Sequence, residues 1–514
     1  MTDAAAALAA TVPVAVIGAG TMGSGIALVA AKAGHPVLLH DANPQAIQRG
    51  IDGLRRDLDR LVDKGKISAA ARDAQLGRIT PMPSIDDIGP AGFVIEAIIE
   101  DFSVKRDLFR RVEAAVAPNA ILSTNTSSLS VTALAAVIER PERFLGVHFF
   151  NPAPILPLVE IVSGHVTAPA VAATAFATCR AWGKTPVHCR STPGFIVNRV
   201  ARPFYGETLR LIAEGAATPA TLDAILREAG GFRMGPCELM DLIGHDVNYA
   251  VTRTVWELLF QDPRYKPSLV QKELVDSGQL GRKTGRGFYD YAKGAPPPVP
   301  DDAPAGPRPT SIVIEGDLGP AAALGALAQT AGLTVETRDG GGMIRVDGVA
   351  LALTDGRSAT ARFAADGGPE ILFDLALDYG TAGRIAIAAA DQAPASALAT
   401  AAGFFQALGK TVSVLDDAPG LVVMRTVAML INEAADAAHQ RVGSIADIDL
   451  SMLKGVNYPR GPLAWCDTLG AARIAAVIDG LAAAYGEDRY RTAPLLRRRA
   501  LTGRPFHSST PSGH

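Results

Sequence analysis

His148 and Glu160 are the only ionisable residues in the stretch GVHFFNPAPILPLVEIV (146–162), and they stand twelve apart. An imidazole and a carboxylate in such apolar surroundings suggest an acid–base pair. A buried imidazolium needs a negative charge nearby and a buried carboxylate needs a donor, so each offsets the other's desolvation. Histidine is also suited to taking a hydroxyl proton near neutral pH. The plainer alternative is a core histidine satisfied by a backbone carbonyl, with an unrelated surface glutamate. Two short apolar strands, FLGVHFF (144–150) and LVEIV (158–162), flank the proline-bearing loop 151–157. Strands joined in that way bring opposite side chains face to face, which favours the pair.

The elements that must position this pair begin at VPVAVIGAGTMGSGIALVAAKAGHPVLLHD (12–41), which reads strand, glycine turn, helix, strand. Gly18, Gly20 and Gly23, with Thr21 and Met22 between them, form a G-x-G-x-x-G at the start of the helix. Such a turn lets a pyrophosphate approach the backbone at a helix N-terminus. Asp41, ending the second strand, is placed to bind the adenosine ribose hydroxyls and to repel a 2′-phosphate, so NAD is expected rather than NADP. Further strands follow at 93–98 and 120–125, separated by helical patterns, which predicts a doubly wound, mostly parallel sheet. Strand ends in such a sheet line the ligand crevice, so Glu100 and Lys105 are candidates to border the nicotinamide half. The hydroxyl-rich STNTSSLSV (123–131) offers one serine as a helix cap and another to face ligand.

Beyond residue 193 the pattern turns to amphipathic helices as far as 291, and the proline-rich segment 294–310 then reads as a linker. An internal repeat follows: WGKTPVHCRSTPGFIVNR (182–199) is similar to LGKTVSVLDDAPGLVVMR (408–425) at an offset of 226. The same offset pairs Glu207 with Glu433 and Asp241 with Asp467. The expected organisation is an α/β Rossmann domain (1–190), an all-α domain (191–293), the linker, a reduced Rossmann-like module (311–415) and a duplicated all-α domain (416–514).

Of the 514 residues, 48% are hydrophobic and 20% charged, as in a well-folded globular protein. A net charge of -3 gives no pull towards nucleic acid or an anionic membrane, and no partner of either kind is expected. The four cysteines have no metal-ligand spacing, so no metal is expected and reduced thiols are. With no basic leader ahead of the first strand, the expected location is cytoplasmic.

GAGTMGSGIA, EAIIED, NTSSLS, HFFNPAPILPLVEIV, TPGFIVNR and GRKTGRGFY, in this order across residues 12–291, resemble the L-3-hydroxyacyl-CoA dehydrogenase family. The duplicated tail is similar to the long bacterial form of that family. The resemblance implies NAD-dependent oxidation of an L-3-hydroxyacyl-CoA, such as the 3-hydroxyadipyl thioester of phenylacetate catabolism or a 3-hydroxybutyryl thioester. It implies His148 as base, Glu160 as its partner, and Ser127 and Asn198 as donors to the reacting oxygen. Asn125 and Asn151 would lie near the cofactor, and Lys64 near the coenzyme A phosphates. Adding 226 to His148, Glu160, Ser127 and Asn198 gives Asp374, Ala386, Leu353 and Met424, so the second half is expected to lack the chemistry. Arg202, Arg233 and Arg253 are candidates for pairing with a distal substrate carboxylate, against the plainer reading of surface arginines. Alternatives are a dehydrogenase of free hydroxy acids (gulonate dehydrogenase-like or lambda-crystallin-like) and a non-catalytic NAD-binding protein. A homo-oligomer, dimeric or larger, is compatible with the duplication.

Overall fold

The computed structural model describes residues 6–507. The chain divides into two compact units, one of Met1–Val197 with Gln440–Val456, the other of Asn198–His439 with Asn457–His514.

The first unit is built on an eight-stranded sheet. Its strands are β1 (Val14–Ile17), β2 (Val37–His40), β3 (Ile79–Met82), β4 (Phe93–Glu96), β5 (Ile121–Thr124), β6 (Phe144–Phe149), β7 (Leu158–Ser163) and β8 (Thr185–Arg190). They lie in the order β3-β2-β1-β4-β5-β6-β7-β8. Strands β1, β4, β5 and β6 are buried along their whole length, as expected when helices cover both faces of a parallel sheet. Only β6 and β7 run antiparallel, and their register sets His148 opposite Glu160. The loop 151–157 makes that reversal locally, without a crossover helix.

One segment of this unit comes from far along the chain. Residues 440–456, within the duplicated helical sequence, pack on the sheet's last edge. Arg190 N donates to Val442 O at 2.8 Å. The helix Ile445–Gly455 closes over β7 and β8 through Gly455, which has no room for a side chain beside Leu158 and Val197.

The second unit carries a seven-stranded sheet. Its strands are β9 (Ser311–Glu315), β10 (Thr334–Arg338), β11 (Met343–Val346), β12 (Val349–Leu353), β13 (Ile371–Phe373), β14 (Arg384–Ala389) and β15 (Thr411–Val414). They lie in the order β10-β9-β11-β12-β13-β14-β15. Strands β12 to β15 repeat the parallel, antiparallel, parallel directions of β5 to β8. The shortening falls at β11. There Asp347-Gly348, both with positive φ, turn an antiparallel hairpin where the first unit uses parallel β4. A two-residue turn stands in place of the crossover between β4 and β5, and among the described residues the second sheet ends at β10 with no equivalent of β3.

The proline-rich segment 294–310 is strapped down rather than free. Ala303 N donates to Val412 O at 2.8 Å, and Gly306 N donates to Gln406 Oε1 at 2.8 Å. Gly306 lies so close to Gly403 that neither position admits a Cβ. Among the described residues no single helix is long and apolar enough to cross a membrane.

Candidate active site

The carboxyl ends of β1, β4, β5 and β6 bring most of the candidate residues to one edge of the first sheet. Gly18 follows β1 with φ +104°, and a Cβ there would lie 2.4 Å from the Ala97 carbonyl oxygen, so only glycine fits. A Cβ on Gly23 would meet Gly18 O at 1.8 Å, which fixes how closely helix and turn pack. Gly20 is different: nothing lies within 4 Å of its Cβ position. It caps the helix Thr21–Lys32 without any side-chain hydrogen bond to the helix N–H groups. Open space over uncapped N–H donors is what a pyrophosphate needs. Thr21 at the mouth is exposed, and Met22 packs partly into the core. A cleft of about 360 Å³ opens beside this turn, lined in part by Gly20, Thr21 and Arg49. Asp41 Oδ2 accepts from Ala19 N and Oδ1 from Asn43 N, both at 2.8 Å, which holds the carboxylate against the glycine turn. These features fit a bound dinucleotide.

In the second unit the corresponding turn is closed. A Cβ on Gly319 would strike the Arg473 guanidinium, and Gly319 N already donates to Asp317 Oδ1 at 2.8 Å.

Beyond β4, Glu96 is completely buried and accepts from Lys105 Nζ at 2.6 Å and Thr124 Oγ1 at 2.7 Å. Lys105 is itself only 1% exposed and also pairs with Glu100 at 3.2 Å. Lys105 is thus no solvated helix-start lysine: its ammonium is engaged by two carboxylates, Glu96 and Glu100, the second of them at the strand end. Glu100 in turn gathers the β5 loop. Its Oε1 accepts from Thr126 Oγ1, Ser127 N, Ser128 N and Ser128 Oγ at 2.5 to 3.1 Å. Burial pushes the Glu100 carboxyl up, but Lys105 and the two hydroxyls outweigh it and hold the group below the usual carboxylate range. Ser130 caps the following helix through Ala133 N, while the Ser127 hydroxyl takes no part in any hydrogen bond among the described residues. Asn125 Oδ1 accepts from Phe149 N at 2.8 Å, tying the β5 loop to the strand that carries His148.

His148 and Glu160 form the centre. His148 Nδ1 lies 2.7 Å from Glu160 Oε2, with the imidazole 6% exposed and the carboxylate fully buried. The other carboxylate oxygen accepts from Ile196 N and Val197 N, each at 3.0 Å. Glu160 is therefore fixed from two sides, and Nδ1 is taken, leaving Nε2 as the free ring nitrogen. Phe150 and Phe195 pack against the ring at 4.6 and 5.7 Å between centroids. The role of Ile196 and Val197 was not foreseeable from residue type, because only their backbone takes part.

The remaining candidates lie further out or begin the next unit. Asn151 is exposed at the start of the loop after β6. Lys64 is exposed at the C-terminal cap of the helix Pro44–Asp63. Asn198 is half-buried on the short helix Val197–Val200 and is the first residue of the second unit, with its amide in no hydrogen bond among the described residues.

A dinucleotide turn and a carboxylate-held imidazole at the same sheet edge fit an NAD-dependent oxidoreductase. The 3-hydroxyacyl-CoA dehydrogenase NAD-binding domain matches residues 13–192, and the C-terminal domain of the same enzymes matches twice, at 194–291 and 420–510. The reduced Rossmann-fold domain of 3-hydroxybutyryl-CoA dehydrogenase matches 351–419. The chain is 44% identical to the 3-hydroxyadipyl-CoA dehydrogenase of Escherichia coli K12, over 96% of this chain and 98% of that one. It is 40% identical to a probable 3-hydroxybutyryl-CoA dehydrogenase of Deinococcus radiodurans, which covers 54% of this chain and 99% of its own length. A crystal structure described as 3-hydroxybutyryl-CoA dehydrogenase from Escherichia coli K12 superposes with a TM-score of 0.86 at 44% identity, covering 96% and 99% of the two chains. The chain belongs to the 3-hydroxyacyl-CoA dehydrogenase family, and is an NAD-dependent oxidoreductase of the long form with a second helical domain.

Proposed function

We propose that this enzyme oxidises L-3-hydroxyacyl-CoA thioesters to 3-oxoacyl-CoA with His148 as the base, and that a six-carbon dicarboxylic acyl chain is its preferred substrate. The observation that carries the catalytic reading is the 2.7 Å contact of His148 Nδ1 with Glu160, which leaves Nε2 as the ring nitrogen without a hydrogen bond among the described residues. Nε2 takes the 3-hydroxyl proton, and Glu160 stabilises the imidazolium that forms. Because Glu160 is anchored by Ile196 and Val197 N–H, the ring keeps one orientation throughout. Bound NAD supplies the acceptor for the hydride leaving C3. Ser127 and Asn198 donate to the oxygen as it becomes a carbonyl. Glu100, held ionised by Lys105, keeps the Ser127 backbone in place for that task. The Gly18–Gly23 turn holds the pyrophosphate and Asp41 the ribose hydroxyls, with Asn125 and Asn151 towards the nicotinamide and Lys64 towards the coenzyme A phosphates.

The dicarboxylic preference is supported by the 44% identical relative that is named for the 3-hydroxyadipyl thioester and matched over nearly its whole length. The experiment is NADH formation across 3-hydroxyacyl-CoAs of four to ten carbons, the adipyl thioester and free hydroxy acids. Turnover of free hydroxy acids alone would replace the thioester reading.

The second half, on this reading, occupies the place of a dimer partner's helical domain. Removing residues 295–514 also removes the helix Ile445–Gly455 from the NAD-binding sheet. That truncation is expected to aggregate or dimerise, and a soluble, fully active monomer would overturn the assignment.

A further inference from the structure

The second unit buries six arginines, and five of them have carboxylate partners at 2.5 to 3.2 Å. The sixth, Arg202, has none among the described residues. It opens the helix Arg202–Ala213 and is 7% exposed, contrary to the expectation of a surface residue, whereas Arg233 and Arg253 do lie on the surface. Among the described residues its one hydrogen bond runs from Nη1 to Thr252 Oγ1 at 3.0 Å, and Nε is buried with no partner. The Tyr205 ring covers a face of the guanidinium at 4.8 Å. Burial pushes this group below its ordinary range. Arg199 and Arg425 are buried too, yet Glu433 and Glu207 carry them above it. The repeat shows that the fold does not need a cation here: at the offset of 226 stands Ala428, fully buried in the helix Val423–His439.

Arg202 lines a cleft of about 340 Å³ that is built from the second unit and opens to solvent. Arg210, Arg264, Lys266 and Arg489 line it as well, against two carboxylates, Glu214 and Glu487. Most of these charges are already matched. Arg210 pairs with Glu214 and Glu487 at 2.9 and 2.8 Å, Arg264 with Glu433 and Asp436, and Arg489 with Glu207. Lys266, exposed at the rim, makes no ion pair among the described residues, and Glu487, the carboxylate within its field, is held by Arg210. The wall continues into the helix Leu269–Asp276, whose N-terminus has no side-chain cap although Ser268 stands at the capping position. Its first N–H groups are donors still without an acceptor. Leu209, Ala213, Leu269 and Val270 make the rest of the wall apolar.

A buried cation without a counter-charge is a strongly unfavourable arrangement in a finished fold. Two cations without carboxylates, beside an uncapped helix start, call for a dianion with several acceptor oxygens. A carboxylate brings a single negative charge and leaves one cation unmatched. A phosphate monoester carries about −1.5 to −2 at neutral pH, with three acceptor oxygens, and helix N-termini favour it. We propose that this cleft binds a phosphate monoester with a small apolar body. Arg202 and Lys266 hold its charge, and the start of the helix Leu269–Asp276 takes the remaining oxygens. Bound there, the anion supplies the counter-charge that the fold withholds from Arg202. The inference stands on the second unit by itself and not on the dehydrogenase reading.

The test is calorimetric titration of the full chain with phenyl phosphate, in saturating NAD so that the glycine turn is filled. Saturable binding is expected, and benzoate, with one charge on the same ring, should bind at least about 10-fold more weakly. Arg202→Met should weaken phenyl phosphate binding by about 10–100-fold. Lys266→Met, at the exposed rim, should weaken it by about 2–5-fold. Arg202→Met should not lower the melting temperature of the ligand-free protein, because it removes an unmatched buried charge. Absence of saturable binding, unchanged affinity in the Arg202→Met chain, or benzoate binding as tightly as phenyl phosphate overturns the proposal. Should Arg202→Met fail to fold, Lys266→Glu decides: binding should be lost, and an unchanged affinity overturns the site. Coenzyme A carries a phosphate monoester that dephospho-CoA lacks, so this pair of compounds separates two sources of the ligand. A CoA affinity that falls in Lys266→Met while that of dephospho-CoA holds supports the site and assigns it to the phosphate of the acyl carrier. Loss of phenyl phosphate binding with CoA unaffected supports the site and assigns it to a separate phosphorylated small molecule.

Discussion

Arg199 and Arg425 stand at the same position in the two helical copies and exchange partners: Arg199 Nε donates to Glu433 at 2.6 Å, and Arg425 Nε donates to Glu207 at 2.7 Å. Glu207 and Glu433 are themselves equivalents at the offset of 226. Tyr265 and Tyr490 complete the exchange, each hydroxyl donating to the glutamate of the other copy. The two copies are thus joined by a pseudo-twofold arrangement of the kind an isologous dimer makes, written here into one chain.

Replacing either glutamate strands buried guanidinium groups. Glu207→Gln and Glu433→Gln should each destabilise the second unit by about 3–5 kcal/mol, and by similar amounts because the arrangement is reciprocal. Urea unfolding checks this. Burial alone would raise the Glu207 carboxyl, but Arg489 and Arg425 bring it down to about 2. A depressed carboxylate contributes stability above its unfolded pKa and loses it as pH falls through the folded one. The Glu207 contribution should therefore persist at pH 5 and fade between about pH 4 and 2.

Substitution at the imidazole pair should separate chemistry from folding. His148→Gln should reduce kcat by about 10²–10⁴ with little change in NAD affinity. Glu160→Gln removes the counter-charge and weakens the acceptor for two backbone N–H groups. It should lower kcat by about 10²-fold and also lower the melting temperature. Steady-state kinetics alongside thermal unfolding reads both. A Glu160→Gln protein with unchanged kcat would remove Glu160 from the mechanism.

Gly20 and Gly18 should behave oppositely. Gly20 has ordinary φ and open space around its Cβ, so Gly20→Val should fold normally yet raise KM for NAD by about 10–100-fold. Gly18→Ala meets the Ala97 carbonyl at positive φ and should lose stability even without cofactor. Apo-protein melting and NAD titration distinguish the two effects.

Asp374 tests what became of the pair in the second half. Asp374 N donates to Ala386 O, so Asp374 and Ala386 face each other across β13 and β14 as His148 and Glu160 do across β6 and β7. The Asp374 carboxylate accepts from Val422, Val423 and Met424 N–H, and the first two are the equivalents of Ile196 and Val197. The helix-holding carboxylate survives, moved to the opposite strand, while the base is gone. Burial raises this carboxyl to about 6 against the pull of those N–H groups. A raised carboxyl contributes stability that is full below about pH 4 and is lost as pH rises to about 6. Asp374→Asn keeps an acceptor oxygen and should abolish that slope in unfolding measurements between pH 4 and 6.

Much of this was legible because the signals are local. Glycine spacing, the proline loop and an ungapped repeat placed the dinucleotide turn, the facing of His148 and Glu160, and the duplication. What stayed hidden depends on contacts between distant residues or on backbone atoms. Lys105 looks like a solvated helix-start lysine until β4 folds Glu96 beneath it. Arg202 is of a residue type rarely buried, and nothing nearby in sequence marks it as buried. The segment 294–310 has a tether's composition, yet paired glycines at 306 and 403 let it dock. The repeat offset already pairs Asp374 with His148 and Ala386 with Glu160, but that Asp374 accepts from Val422 and Val423 N–H becomes visible only in the fold.

The strand edge at β8 waits for residues 440–456, some 260 positions after the rest of its unit. At synthesis rates of about 5–20 residues per second, that interval is roughly 13–50 s on the ribosome. During that time the NAD-binding sheet has emerged with its last edge and its Ile196 and Val197 face uncovered. The duplication therefore ties completion of the first-made unit to translation of the last-made one, and a nascent chain stalled before residue 456 should be bound by chaperones through that edge.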